Sequence, residues 1–512
     1  MTTPTTTPAR RTYLTVAIPY VNAPPHLGYA FELVEADLVA RARRRLGEEV
    51  RFLAGTDDHS LKNVLAAEAA GVSPAELVAA NGDRFRTLVD ALDVSVDDFI
   101  RTSTDRRHRP SVERLWMACA TSGDLYRRPY AGRYCVGCEQ FYDPDALVDG
   151  RCPEHDQPLQ DVVEDNWFFR LSRWAHPLTE AITSGRLLIE PRGARDEVLA
   201  FIAGGLDDVS VSRSTSRARG WGVPVPGDPD QVVAVWFDAL TNYLSALGYA
   251  EDDPAFDRWW RGSDERIHIV GKGIVRFHAV LWPAFLLSAG LPLPTRIHVH
   301  PYLSIDGAKI AKSSGPHVDP IELAETVGVD GLRWWLAVEP SGSSDTDFTL
   351  DRLVERHDDD LANGLGNTVH RITSLRRRAG LDAIPTHSHV ASTPDDLAPQ
   401  VARALADFDR RRAAGLVRGA LTALNRAIEH DQPWQAIGDP TRDDELVALL
   451  AEYVGALRSI LLAVDPLVPG LARRLLDRLG APGGGAAPVP RLRPHDERLA
   501  GRRVDPAGAV SG

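Results

Sequence analysis

Two short stretches, far apart in the chain, carry residues suited to a phosphorylated substrate. His26-Leu27-Gly28-Tyr29 follows an apolar run, Leu14 to Ile18, and a loop rich in Pro, Asn and Ala. Such a run, then a loop, then a helical pattern reads as strand, turn and helix N-terminus. There the free backbone N–H groups and the helix dipole favour a bound anion. His26 can donate to a phosphoryl oxygen, and Gly28 leaves room for a purine or ribose against the backbone. The helix is expected from about Ala30. Downstream, Lys309-Ile310-Ala311-Lys312-Ser313 lies within SIDGAKIAKSSG. Two lysines three apart, followed by small hydroxyl residues, suit a loop that closes over a triphosphate. The plain alternatives are a chance His-x-Gly tripeptide and a solvated basic turn. The joint occurrence of both stretches, one after a strand and one before a helix, favours nucleotide chemistry.

A second constellation is metal-like. Of four cysteines, three cluster: Cys135-x2-Cys138, then Cys152-x2-His155, both in turn-rich sequence. Two ligand pairs with two-residue spacers can wrap one tetrahedral zinc ion, and four protein ligands leave no open position, so the ion is expected to be structural. Cys119 stands apart as a buried helix residue. A third group, Gly55-Thr56-Asp57-Asp58-His59-Ser60, ends a strand-like run. Carboxylates at the carboxyl edge of a parallel sheet face the ligand crevice. Asp57 therefore either binds an ammonium group or caps the next helix.

These groups need a scaffold, and the chain supplies a legible one. Residues 1–11 read as disordered. From 12 to 118, strand-like and helical segments alternate, which predicts a doubly wound, Rossmann-like α/β domain. Residues 119–229, with the thiol cluster and a Gly/Pro-rich return, read as an insertion that splits this fold. The second half resumes over 230–349. Here Trp236 is expected to end a strand, and Asp238, Leu240 and Tyr243 to open a helix. IHIVGKGIVRFHAVLWPAFL then gives a strand, a turn and a helix with His278 and Trp282 on one face. Residues 350–480 carry apolar positions at helical spacing and predict an antiparallel bundle. Asn367 and Arg371 share one face, and Trp434 follows a proline. The tail, 481–512, is low in complexity and expected to be flexible.

The 512 residues suffice for about three domains. A net charge of −13 argues against a protein that coats nucleic acid and permits a local basic groove. The cysteine pattern excludes a disulfide framework. No apolar leader and no run of transmembrane length stand out, so a cytoplasmic protein without membrane association is expected.

HLGY resembles the HIGH signature of class I aminoacyl-tRNA synthetases, and KIAKS resembles their KMSKS loop. AIPYVNAPPHLG, GTDDH, YCVGCEQFY, VWFDAL, GKGIVRFH and the later QPW resemble the blocks of methionyl-tRNA synthetases, in order, over roughly residues 12–480. The resemblance implies methionine, ATP with Mg²⁺, and tRNA(Met) as partners. Methionyl-adenylate would form first and be transferred to tRNA. It implies His26, Lys309 and Lys312 as catalytic residues, and an ATP site of His26, Gly28, Tyr29, Gly271, Gly273, Lys309, Ile310, Lys312 and Ser313. Ala17, Ile18, Tyr20, Asp57, Trp236, Ala239, Tyr243, His278 and Trp282 would line the methionine pocket, although four of these, Tyr20, Trp236, Tyr243 and Trp282, also read as core aromatics. Asn367, Arg371 and Trp434 would read the CAU anticodon. Cys135, Cys138, Cys152 and His155 would hold one structural zinc ion. With no appended tRNA-binding domain, a monomer is expected. Four positions depart from the family pattern: Tyr29 for the second His of HIGH, Ser60 and Gly273 for a Gly and an Asp, and Ala311 for the Ser of KMSKS. They leave two other readings open. One is a paralogue that passes an adenylated amino acid to a small molecule in a biosynthetic pathway. The other is a tRNA-binding protein without catalysis.

Overall fold

A computed structural model describes residues 9–142, 147, 149–153, 158–305, 308–309, 318–340, 342, 344–381, 396–480 and 489–492. The chain divides into two compact units. One comprises Met1–Pro25, Glu49–Val89 and Val96–Tyr302, the other His26–Glu48, Asp90–Ser95 and Leu303–Gly512.

The first unit is built on six parallel strands: β1 (Arg11–Val16), β2 (Glu49–Thr56), β3 (Asp98–Arg101), β4 (Leu188–Glu190), β5 (Glu265–Gly271) and β6 (Arg296–His300), in the order β3-β2-β1-β5-β6-β4. β1 pairs with β2 on one side and β5 on the other, so the winding reverses there. In a doubly wound sheet this switch point opens the ligand crevice at the strand carboxyl ends. β1 is buried along nearly its whole length, as a central parallel strand covered on both faces must be. β1 also starts at Arg11, within the stretch expected to lack structure.

The segment expected as an insertion folds as antiparallel strands. Leu125–Cys135 pairs with Gln140–Tyr142 and with Gln160–Phe169, which pairs with Val209–Ser210. The segment also lends the central sheet its edge strand, β4.

The second unit is mostly helical, with Asn367–Arg378, Leu397–Ala406, Arg410–Asp431, Asp443–Val464 and Pro469–Gly480 forming the bundle that the apolar spacing predicts. A small sheet joins Leu303–Ile305 to Ala308–Lys309 and Thr346–Phe348. Two expectations need correction. Pro440–Val464 is long and apolar enough to cross a membrane by length and composition. Half of its most apolar window is buried, and it packs on the four other bundle helices, so that surface serves the core. Part of the tail is also fixed: Val489 is buried, the Leu492 N–H donates to Asp358 at 2.8 Å, and Arg491 donates to Asn363.

A buried ion pair holds this unit together. The Arg333 guanidinium meets Asp37 at 2.7 Å with neither side chain exposed, and it also donates to the Leu92 and Leu467 carbonyls. Burial would raise the Asp37 pKa, but Arg333, Arg41 and Ser95 outweigh it and hold the carboxyl below its usual range. A depressed folded pKa contributes stability above the unfolded value, and this is lost as pH falls through the folded one. Arg333→Met is expected to cost about 3–5 kcal/mol by stranding Asp37. Urea unfolding at neutral pH measures that loss, and the deficit should shrink toward pH 3.

Candidate active site

The site in the first unit is assembled where β1 and β2 end. Beyond their last paired residues the two chains touch once more, between Tyr20 and Asp57, with the Asp57 N–H donating to the Pro19 carbonyl at 2.9 Å. Asn63 donates to the Asp57 carbonyl at 3.0 Å, so the backbone of Asp57 is anchored on both sides. Its neighbour Asp58 is a structural carboxylate. One oxygen accepts from Thr56 and the other from the N–H and hydroxyl of Ser103. Asp57 differs: Oδ1 accepts from the His59 N–H at 3.0 Å, while Oδ2 is buried with no hydrogen-bond partner. Burial, then the nearby Asp238 and Glu139, push its pKa well above the usual carboxylate range. A buried carboxylate left half-satisfied is costly and calls for a cationic or hydrogen-bonding ligand. The capping alternative falls away, because Ser60 caps the next helix, Leu61–Ala70, by accepting from the Lys62 N–H at 3.0 Å.

Aromatic residues surround the end of β1. Ala17 is buried, and Ile18 and Tyr20 are partly buried. Trp236 lies in the first turn of the helix Val235–Ser245, not at a strand end; the strand before it stops at Val233. Its indole stacks on Phe277 at 3.6 Å between centroids and lies 6.2 Å from Tyr20. Ala239 and Tyr243 are buried on the same helix. His278 sits in a π-helical turn, Phe277–Leu281, and Trp282 opens the α-helix that follows. Pro283 cannot donate to the carbonyl four residues back, which accounts for the wider turn.

The protons here are fixed by their partners. The Ile274 carbonyl can only accept, so His278 carries its hydrogen on Nδ1 (3.0 Å), and its bare Nε2 accepts from the Tyr243 hydroxyl at 2.9 Å. Burial lowers the His278 pKa to about 4, which keeps it neutral.

Several groups escaped the reading of the sequence. Arg213, buried, pairs with Glu139 at 2.9 Å and donates to the His59 carbonyl at 3.2 Å. Ser60 donates to the same Glu139. Asp238 bridges His59 (2.6 Å) and His108 (2.7 Å). No spacing in the sequence announces these long-range pairs. His268 had a usable signal: a histidine in an otherwise apolar central strand.

Cys135, Cys138 and Cys152 are buried and free of disulfides, with their sulfurs within 4.8 Å of one another. Cys138 and Cys152 lie 3.5 Å apart, near the roughly 3.7 Å that two thiolates take round a tetrahedral ion with bonds of about 2.3 Å. The cluster is consistent with a metal site; His155 lies outside the described residues. The Cys138 carbonyl accepts from the Trp236 indole at 3.1 Å, which ties the cluster to the aromatic wall.

Gly271 ends β5, and Gly273 follows in a short 3-10 turn; a Cβ on Gly273 would run into the Tyr302 hydroxyl. In the second unit, the helix containing the HLGY stretch starts at Leu27, three residues earlier than expected. His26 caps it, with Nδ1 accepting from the Tyr29 N–H at 3.3 Å. That leaves Nε2 as the protonated nitrogen. The space kept open by Gly28 holds this imidazole, since a Cβ there would lie 3.0 Å from the ring. Tyr29 is buried in the helix. Lys309 ends a short strand of which the backbone alone is described; Ile310, Ala311, Lys312 and Ser313 lie outside the described residues.

Farther along this unit, Asn367, Arg371, Ser374 and Arg378 line one face of a helix, with Trp434 across a cavity of about 440 Å³. Gln432, in the left-handed conformation, ends the helix Arg410–Asp431 and turns Pro433 and Trp434 toward that face. The Arg371 guanidinium lies 5.4 Å from the Trp434 ring and pairs with Glu429 at 2.7 Å.

Comparison with known proteins agrees with this architecture. The family model for class I tRNA synthetases of the M type matches residues 12–165 and 156–373, which defines the class. The chain is 38% identical over 482 residues to the methionine–tRNA ligase of Brucella melitensis biotype 1, covering 92% of each protein. It is 39% identical over 486 residues to that of Mycobacterium tuberculosis, covering 91% of this chain and 92% of the other. A solved structure of Mycobacterium tuberculosis methionyl-tRNA synthetase in complex with methionyl-adenylate superposes with a TM-score of 0.87 at 38% identity, covering 92% and 94% of the two chains. The chain belongs to the methionyl-tRNA synthetase family.

Proposed function

We infer that this chain is a methionine–tRNA ligase whose amino-acid subsite is organised by Asp57. The observation that carries the assignment of the subsite is the buried, unpartnered Asp57 Oδ2 at the switch point, beside a wall of aromatic residues. The methionine ammonium is the missing partner of that oxygen. The thioether side chain packs among Ala17, Ile18, Tyr20, Trp236, Ala239, Tyr243, His278 and Trp282, where a soft sulfur is well accommodated by aromatic edges.

The substrate supplies its own nucleophile. The methionine carboxylate attacks the α-phosphorus of ATP, the α–β bridging P–O bond breaks, and pyrophosphate leaves. The terminal ribose hydroxyl of tRNA then attacks the carbonyl carbon, its proton is lost and AMP departs. Catalysis is therefore positioning and charge stabilisation. His26 Nε2–H donates to the phosphate chain, Gly28, Tyr29, Gly271, Gly273, Ile310 and Ser313 line the nucleotide, and Lys309 and Lys312 hold the pyrophosphate. Mg²⁺ bound with ATP supplies further charge neutralisation. A zinc ion held by the three cysteines and His155 serves structure alone. Four departures from the family pattern, Tyr29, Ser60, Gly273 and Ala311, leave a working site. Ser60 supports this, because its hydroxyl is engaged in capping a helix and bonding Glu139. Asn367, Arg371 and Trp434 read the anticodon of tRNA(Met). The chain works as a cytoplasmic monomer, a state that sedimentation of the purified protein reads.

Amino-acid activation needs no tRNA, and this separates the two halves of the proposal. Trp434→Ala and Arg371→Ala are each expected to cut kcat/KM for charging tRNA(Met) by about 10- to 100-fold, from roughly 1–3 kcal/mol of lost stacking or base contact. Methionine-dependent pyrophosphate exchange should stay within about twofold, since neither residue takes part in it. Charging that ignores a CAU-to-CAC change would sink the anticodon assignment. Exchange driven only by another amino acid would sink the methionine assignment and favour the small-molecule paralogue.

A further inference from the structure

His268 lies in β5, directly opposite Thr15 of β1 in the parallel register, and is almost fully buried. Central parallel strands are normally apolar on both faces, so a histidine here needs a reason. Its contacts reach two of the aromatic residues proposed to line the methionine pocket. Nε2 lies 3.1 Å from the Trp282 indole nitrogen, and the ring stacks on Tyr243 at 4.4 Å between centroids.

The proton positions are again forced. An indole N–H can only donate, so His268 Nε2 must be bare and its hydrogen must sit on Nδ1, donated to the Thr15 hydroxyl at 2.6 Å. Burial, with His278 nearby, holds the ring neutral, well below its ordinary pKa. Four side-chain donors of the surrounding cluster are committed. Tyr13 donates to the Tyr243 carbonyl, Tyr243 to His278, Trp260 to the Pro292 carbonyl and Trp282 to His268. With these N–H and O–H groups engaged, that part of the wall suits a thioether, whose sulfur is only a weak acceptor, and offers little to a strong one.

We propose that His268 is a positioning residue of the amino-acid subsite: its bare Nε2 holds the Trp282 indole in place and occupies the indole N–H, so that the wall facing the substrate side chain rejects polar analogues of methionine. The proposal rests on the reading that Tyr243 and Trp282 line the methionine pocket. It names the class of ligand excluded, amino acids of methionine's length with a strong hydrogen-bond acceptor on the side chain, such as methionine sulfoxide.

The test is pyrophosphate exchange with the intact enzyme, methionine against methionine sulfoxide. His268→Leu removes the acceptor; His268→Gln keeps an acceptor that can reach the indole. The leucine variant is expected to raise the methionine KM by about 10- to 100-fold with kcat within about threefold, to leave the ATP KM unchanged, and to narrow the preference for methionine over its sulfoxide by at least about tenfold. The glutamine variant should recover most of both losses. Adding Trp282→Phe to the leucine variant should restore the preference, because the indole donor freed by that variant is gone. A merely structural role would lower all activities together and respond to neither change. Should the leucine variant fail to fold, His268→Asn, too short to reach Trp282, takes its place with the same expectation. Equal KM and preference in the wild type and the leucine or asparagine variant would overturn the proposal, as would a glutamine variant no better than either. If Trp282→Ala and Tyr243→Phe leave the methionine KM unaltered, the pocket reading itself fails, and His268 falls with it. If they raise it and His268→Asn does not, the role of His268 alone is lost.

Discussion

Asp57→Asn is expected to abolish methionine activation while making the protein more stable. The two effects share one cause. Oδ2 is buried and unpartnered, and burial together with Asp238 and Glu139 raises the pKa of the group. Asparagine keeps the shape and can still accept from the His59 N–H, but it offers no charge to an ammonium. Leaving one member of a buried ion pair without its partner costs about 3–5 kcal/mol, so kcat/KM in pyrophosphate exchange should fall roughly 10²- to 10⁴-fold. In the empty enzyme the same change removes a half-satisfied carboxyl, and urea unfolding should show a gain of about 1–3 kcal/mol.

The pH dependence gives an independent check on sign. A carboxyl whose folded pKa lies above its unfolded value makes the empty protein bind more protons than the unfolded chain over that interval. Stability therefore declines as pH rises from the unfolded value through the folded one, and the asparagine variant loses that slope. A bound ammonium lowers the pKa of Asp57, so methionine binding expels a proton. Affinity for methionine should climb with pH up to the raised pKa of the empty site and then level off. Calorimetry in two buffers of different ionisation enthalpy reads the released proton directly. An asparagine variant with unchanged methionine KM would remove Asp57 from the subsite.

Cys138→Ser is expected to cost both the metal and the chemistry. A serine hydroxyl is a poor ligand for a soft, thiolate-lined site. Metal analysis should fall from one equivalent per chain to near none. The loss reaches the active site because the backbone of this turn is shared: the Cys138 carbonyl accepts from Trp236, and Glu139, one residue on, holds Arg213 and Ser60. Methionine activation should drop by about 100-fold. Cys119→Ser is the control. Its thiol lies in the helix His108–Thr121, 3.7 Å from the Phe285 carbonyl and apart from the cluster, and the change should cost about 1 kcal/mol of stability with metal content intact. Full metal occupancy in the Cys138 variant would refute the ligand assignment.

What the sequence alone determined is what short-range chemistry encodes. The apolar run before the HLGY stretch had to be a buried strand. The two-residue spacers put Cys135 and Cys138 on one turn, and the three- and four-residue periodicity after 350 made the bundle. Asn367 and Arg371 share a face because they are four apart on a helix. Ordered blocks sufficed for the family, since each is contiguous in the chain.

Only the tertiary structure decided which of these groups are left wanting a ligand. Asp57 and Asp58 are neighbours of one type, yet Ser103 and Thr56 satisfy Asp58 while one oxygen of Asp57 stays bare, and much of that difference is made by the turn after β3, some 45 residues away. The tautomers of His268 and His278 follow from an indole and a carbonyl brought to them by the sheet and by a π-turn. Gly28 turned out to make room for the ring of His26, and Trp236 to lie in the first turn of a helix and not at a strand end, because local patterns fix the kind of element but not its first residue. Burial and hydrogen-bond satisfaction are properties of the closed packing, and no local pattern of residue types can carry them.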